Sequence, residues 1–234
     1  SEVVLVELPA LSSALIHNGG GMQFGADGKL YVGVGDNATP AAAQDGSSVL
    51  GKLLRFNADG SMPNDNPFYA TQSGLARAVW ARGLRNPFSF AVQPGSGRLH
   101  INDVGQETWE EINLGAPGAN YGWPGSEGPD NLGAGLTGPL FTYKHSAASP
   151  PGSGPGGFVV GYAVVGGAFH PGGAPFPPGY RGSYYFGDYV SGEIFRMDLA
   201  NGNAVSAFAR TGNSIVAMLF GNEGALYVLM PMRV

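Results

Sequence analysis

Apolar and polar positions alternate along this chain in short bursts, and clusters of turn residues punctuate them. Four stretches share a turn-then-strand form: FGADGKLYVGVGD (Phe24 to Asp36), VQPGSGRLHINDVG (Val92 to Gly105), YRGSYYFGDY (Tyr180 to Tyr189) and FGNEGALYVLM (Phe220 to Met230). In the first, second and fourth, a Gly-containing turn launches an alternating run, the pattern of an antiparallel hairpin. The pattern predicts further strands at Leu50 to Asn57, Ala78 to Leu84, Phe88 to Gln93, Val159 to Phe169, Gly192 to Asp198 and Ala204 to Arg210. No window repeats at helical spacing. A small antiparallel sheet recurring about every 40 to 50 residues is the habit of β-propeller blades. The chain therefore reads as all-β, a single propeller domain over residues 1–234 with room for roughly four to five blades. Residues 125–157, rich in Gly, Pro and Ser and poor in strand signal, read as a long loop over one end of the ring.

Composition changes this picture little and narrows the partners. Gly 40 and Pro 18 approach a low-complexity level, but they fall between apolar runs and so mark turns. With a net charge of −5 and 12 Lys+Arg, no basic stripe exists to neutralise a phosphate backbone, which argues against nucleic acid. No apolar run has the length of a membrane span, and the opening SEVVLVELPALSSALIHNGG has neither a basic leader nor a cleavage site. The absence of cysteine excludes thiolate metal sites, disulfides and thiol nucleophiles.

The chemically densest stretch is DVGQETWEEINLGAPGANYGW, Asp103 to Trp123. Its carboxylates and amides beside glycines suit a hard cation such as calcium, which takes six to eight oxygen ligands. The plainer alternative is a solvated acidic loop, with Glu110 and Glu111 at an exposed strand end. Trp109, Tyr121 and Trp123 read as core packing in preference to a sugar-stacking platform. His100, His145 and His170 have no evident carboxylate partner and read as structural. GSSVLGK (Gly46 to Lys52) has phosphate-loop spacing but lacks the Ser or Thr after Lys52. Asn37-Ala38-Thr39 is a formal glycosylation acceptor, and the DGSMPNDNPF stretch reads as a tight turn lacking EF-hand spacing.

Taken together, HNGGGMQFGADGKLYVGVGD (His17 to Asp36), GKLLRFNADGSMPNDNPF (Gly51 to Phe68), ARGLRNPFSF (Ala81 to Phe90), DVGQETWEEIN (Asp103 to Asn113), GANYGWP (Gly118 to Pro124) and RGSYYFGDYVSGEIFRMDL (Arg181 to Leu199) resemble the soluble quinoprotein sugar dehydrogenases. That is the glucose/sorbosone dehydrogenase family, which also includes Hedgehog-interacting-protein-like propellers. The resemblance implies a six-bladed propeller whose domain begins before residue 1. It implies pyrroloquinoline quinone (PQQ) bound on one face over Ca2+, and an aldose oxidised at its anomeric carbon to a lactone, with electrons passed to an external acceptor. By the same resemblance His17 is the general base and Asp36 the carboxylate that orients it. Arg85 and Asn86 contact the quinone, Gly105 and Gln106 offer backbone oxygens to calcium beneath it, and Glu111 with Tyr121 forms a further calcium site. A periplasmic or secreted location follows from the same source.

Two alternatives stand beside this reading. Arg85 can equally brace a blade by bonding carbonyls of a neighbouring strand. The family also holds the quinone's carboxylates with Lys or Arg from later blades, where this chain has Ser191, and Lys29, Lys52 and Lys144 are its only lysines. A non-catalytic, calcium-stabilised propeller that binds a protein or glycan is the second function class these residues allow.

Overall fold

The computed structural model describes residues 2–145, 161–172 and 176–231. Its strands form an up-and-down meander in which each pairs with its neighbour in sequence. The first sheet is β1 (Met22–Phe24), β2 (Leu30–Val34), β3 (Lys52–Phe56) and β4 (Val79–Arg82). The second is β5 (Pro87–Val92), β6 (Leu99–Asp103), β7 (Trp109–Leu114) and β8 (Phe141–Lys144). The third is β9 (Val164–Phe169), β10 (Tyr184–Asp188), β11 (Glu193–Asp198) and β12 (Ala204–Arg210), and β13 (Ala217–Phe220) pairs with β14 (Leu226–Leu229) in a two-stranded sheet. The first strands β1, β5, β9 and β13 pack side by side, and with Gly19 to Gly21 they line a channel of about 350 Å3. Inner strands set around an axial channel are propeller architecture. Among the described residues there is no α-helix, as the pattern predicts.

The core lies between successive sheets. Tyr31, Leu53, Trp80, Phe90, Leu99 and Ile101 fill the space between the first and second. Ile112, Tyr143, Phe169, Tyr184, Phe186 and Phe195 fill the next, and Val165, Ile194, Ile215 and Met218 the last. Each large side chain buried this way contributes roughly 1.5–3 kcal/mol. Sheets covered on both faces bury whole strands, so β3, β6 and β10 are buried along their full length instead of alternating.

Two expectations are corrected here. Glu110 and Glu111, for which an exposed strand end is the plainer alternative in sequence, sit inside β7 at 0% and 8% exposure. The stretch 125–157 is not all loop: Phe141–Lys144 pairs with β7, from Trp109↔Lys144 to Ile112↔Phe141, and completes the second sheet. Residues 146–157 lie outside the described residues. The strand predicted from Val159 starts at Val164, and residues 159 and 160 are likewise outside.

Connections in an antiparallel meander alternate between its two ends. The segment before β1 and the β2–β3, β4–β5, β6–β7, β10–β11 and β12–β13 connections therefore emerge on one face. His17, Asp36, Arg85, Asn86, Gly105, Gln106 and Ser191 all belong to them.

Candidate active site

His17 enters this face with φ 55, in the left-handed region where non-glycine residues are uncommon. Its Nδ1 lies 2.8 Å from Asp36 Oδ1. Among the described residues Nε2 has no hydrogen-bond partner, and it is not sealed from solvent. Close backbone approach makes this possible: a Cβ on Gly35 would collide with the His17 carbonyl, so only glycine fits there. Asn37 then clamps the incoming segment. Its main-chain N–H donates to the His17 carbonyl (3.0 Å), and its side-chain amide donates to the Ala14 (3.1 Å) and Ile16 (3.4 Å) carbonyls and to Asn18 Oδ1 (3.0 Å). Asn37 is 1% exposed, so its amide serves the fold and is closed to glycosylation in the folded state.

Asp36 is fully buried and held on both oxygens. Oδ1 also accepts the Ala38 N–H at 2.9 Å, and Oδ2 accepts the Trp123 indole N–H at 2.9 Å. Its main-chain N–H donates to the Arg85 carbonyl (2.8 Å), which ties the histidine–aspartate pair to the next loop. That loop turns because Asp103 accepts the main-chain N–H groups of Arg85 (3.0 Å) and Asn86 (2.6 Å). The Arg85 guanidinium lies over the Trp123 ring, 5.6 Å from its centroid, and donates through Nη1 to the Val104 carbonyl (3.0 Å). Arg85 Nε is buried without a partner among the described residues. A buried guanidinium donor left unpaired calls for an acceptor. Asn86 spends Oδ1 on the Gly19 N–H (3.0 Å), leaving its amide N–H groups to donate.

The residues expected at calcium divide into two groups. Main-chain N–H groups of Gln106, Glu107, Thr108 and Trp109 all converge on Glu127 Oε1, at 2.7 to 3.2 Å. Burial alone would raise the Glu127 carboxyl, but these four donors outweigh it and lower it. Because N–H and C=O point oppositely across a trans peptide, the Gly105 and Gln106 carbonyls point away from Glu127. Two adjacent outward carbonyls suit an oxygen-seeking cation. Glu111, opposite Asp103 across β6 and β7, accepts the Asn113 amide (2.9 Å) and the Gly128 N–H. Burial raises Glu111 to about 7, with the Glu127 and Glu110 carboxylates adding to the rise. Burial and then the Glu111 charge raise Asp103 well above the usual carboxylate range. A cation would relieve this crowding. The Tyr121 hydroxyl is committed to the Leu114 carbonyl (2.8 Å), so Tyr121 has its main-chain oxygen to offer.

Comparison with known proteins closes the question of kinship. The family model described as Glucose / Sorbosone dehydrogenase matches residues 1–233. The chain belongs to this family. It is similar to the aldose sugar dehydrogenase YliI of Escherichia coli, 32% identical over 97% of this chain and 60% of the relative. Among solved structures it superposes on the soluble aldose sugar dehydrogenase of Escherichia coli in its apo form, with TM-score 0.77 and 31% identity, covering 95% of this chain and 63% of that one. It also superposes on the PQQ-bound form of an aldose sugar dehydrogenase from Streptomyces coelicolor, with TM-score 0.71 and 26% identity, covering 94% of this chain and 58% of that one. The chain thus spans about 60% of the length of the curated relative it matches.

This glucose/sorbosone dehydrogenase family member also holds contacts that sequence reasoning missed. Trp123, read as core packing, is buried but spends its N–H on Asp36. His145, read as unpartnered, has Nε2 2.6 Å from Glu110 Oε1, and Glu110 Oε2 accepts the Val164 N–H (2.8 Å) from the next sheet. Burial would lower His145, but the bond to Glu110 outweighs it and raises it. Glu110 and Glu111 thus face opposite sides of β7, so the acidic stretch does not converge on one point. Ser191 shares a polar cavity of about 350 Å3 with Arg210, Asn213 and Ser214 on the same face, and Arg210 Nε lies 3.3 Å from Glu193 Oε1. Lys52 is buried, its ammonium donating to the carbonyls of Ala42, Ala43 and Leu50, so the phosphate-loop spacing there serves packing. Among the described residues no helix is long and apolar enough to cross a membrane.

Proposed function

We propose that this chain carries the reacting face of a periplasmic or secreted quinoprotein dehydrogenase that oxidises aldoses to lactones with PQQ and calcium. The observation that carries the reading is the His17 Nδ1–Asp36 Oδ1 contact at 2.8 Å with Nε2 left open, beside an Arg85 with an unpaired buried donor. PQQ, when bound, supplies the two-electron acceptor for the hydride that leaves the anomeric carbon. His17 Nε2 takes the proton of the anomeric hydroxyl, because a carboxylate on Nδ1–H fixes the tautomer in which the Nε2 lone pair is free to accept it. Asp36 then stabilises the imidazolium that forms. Arg85, through its free donors, and Asn86, through its amide N–H groups, would bind the electron-rich acceptor and offset negative charge there. The outward carbonyls of Gly105 and Gln106 would hold calcium, and Glu111 with Tyr121 a second ion. Arg210, which lines the Ser191 cavity and pairs with Glu193, would supply positive charge in place of the basic residues the sequence lacks at that position. The sugar is a small-molecule substrate, and the electrons pass on to an external acceptor.

The test is His17→Ala in calcium-loaded, PQQ-loaded protein. Aldose-driven dye reduction should fall about 100- to 10,000-fold while PQQ binding persists. Unchanged turnover would remove His17 as the base.

A further inference from the structure

Trp123 stands where the two halves of the site meet. Its Nε1–H donates to Asp36 Oδ2 at 2.9 Å, and the Arg85 guanidinium rests over its ring. The indole is itself firmly held. The Trp123 main-chain N–H donates to the Gly83 carbonyl (3.0 Å), and its carbonyl accepts from Gln44 Nε2 (2.7 Å). Gln44 in turn forms a reciprocal amide pair with Asn120, both bonds 2.9 Å. At 8% exposure Trp123 is too enclosed to stack on a substrate. Packing explains why it is buried, but not why its one polar atom is spent on the carboxylate that holds His17.

We propose that Trp123 is the positioning residue of this site: it fixes Asp36 with Oδ1 toward His17 and, through its ring, seats Arg85. The proposal rests on the reading of His17 as base and Arg85 as acceptor contact. A carboxylate rotates about a broad, roughly two-fold torsion, so one bonded oxygen does not lock it. With Oδ2 tied to the indole, Oδ1 stays on His17 Nδ1–H, and the Nε2 lone pair points outward. Partners of this kind typically matter by about 10- to 100-fold when removed.

Trp123→Phe keeps a ring beneath Arg85 and deletes only the N–H. In calcium- and PQQ-loaded protein kcat should fall about 10- to 100-fold, with KM and PQQ affinity within about threefold of wild type. In the cofactor-free protein, 15N-histidine NMR should show His17 moving from a single Nδ1–H tautomer to a mixture. Trp123→Leu, which also removes the ring, should weaken PQQ binding about fivefold or more. A Trp123→Phe protein with unchanged kcat and an unchanged His17 tautomer would overturn the proposal. Should that variant fail to fold, the wild-type indole proton decides: slow exchange with a resonance that shifts in Asp36→Asn supports it, and exchange as fast as a free indole overturns it. The tautomer and exchange readings need no cofactor, so they remain decisive even if the chain turns over no sugar.

Discussion

His17, Asn37 and Ala38 all sit at positive φ, at 55, 48 and 56°. Each such residue costs about 1–2 kcal/mol relative to ordinary backbone, and strain of this kind persists only where surroundings over-determine it. Here the Asn37 amide and the Asp36 carboxylate do so, through the bonds to Ala14, Ile16, Asn18 and Ala38. Asn37→Ala should therefore lower unfolding free energy by about 1–3 kcal/mol, read by denaturant titration, and blunt any turnover more than the stability loss explains. A stable variant of full activity would show that the clamp is dispensable. His100 offers a pH prediction at the same scale. Burial between Phe169 and Tyr184 lowers it to about 4, so the unfolded chain takes up a proton near pH 6.5 that the folded chain refuses until about pH 4. Stability from this group is present above pH 6.5 and lost as pH falls toward 4, amounting to about 2 kcal/mol by pH 5. His100→Phe should flatten that limb in denaturant melts at pH 7 and 5; an equal slope in both proteins would contradict it. The His17–Asp36 contact was legible only through the family resemblance of the motif that begins at His17 and ends at Asp36, since a histidine before three glycines otherwise reads as a loop residue. Trp123 was not, since an indole reads as core, and the His145–Glu110 pair was hidden by 35 residues of separation.

At the scale of elements, the β6–β7 connection owes its shape to one side chain. Four main-chain donors wrap Glu127, which comes from the far side of β7 along the chain. Glu127→Gln removes the charge that these donors share and should cost roughly 1–3 kcal/mol. Because the same wrapping turns the Gly105 and Gln106 carbonyls outward, calcium affinity measured by isothermal titration should fall with it. Unaltered calcium binding would separate the loop from the ion. The turn-led strands β2, β6 and β14 were legible because glycine turns and alternating runs coincide. β7 was not: WEEINL carries two carboxylates into a strand buried on both faces, made tolerable by Asn113 on β7 itself and Gly128 for Glu111, and by His145 and Val164 for Glu110. β8 was hidden by the Gly- and Pro-rich approach that precedes it.

Across the whole molecule, cores between successive sheets hold the connections of one face in register, so residues from 17 to 106 along the chain meet at one place. The all-β class and the propeller habit could be read from the turn-and-strand repeat. The face the functional residues share follows from the meander, which no single window reveals. Whether this face binds PQQ and uses it to oxidise aldoses is decided by a PQQ titration of the purified, calcium-loaded chain. Absorbance would follow binding, with aldose and a reducible dye then added, in wild type and Arg85→Ala. Saturable binding with aldose-dependent dye reduction is expected, both weakened by Arg85→Ala. Absence of PQQ binding by a folded, calcium-loaded protein would contradict it and leave a propeller that uses this face for recognition.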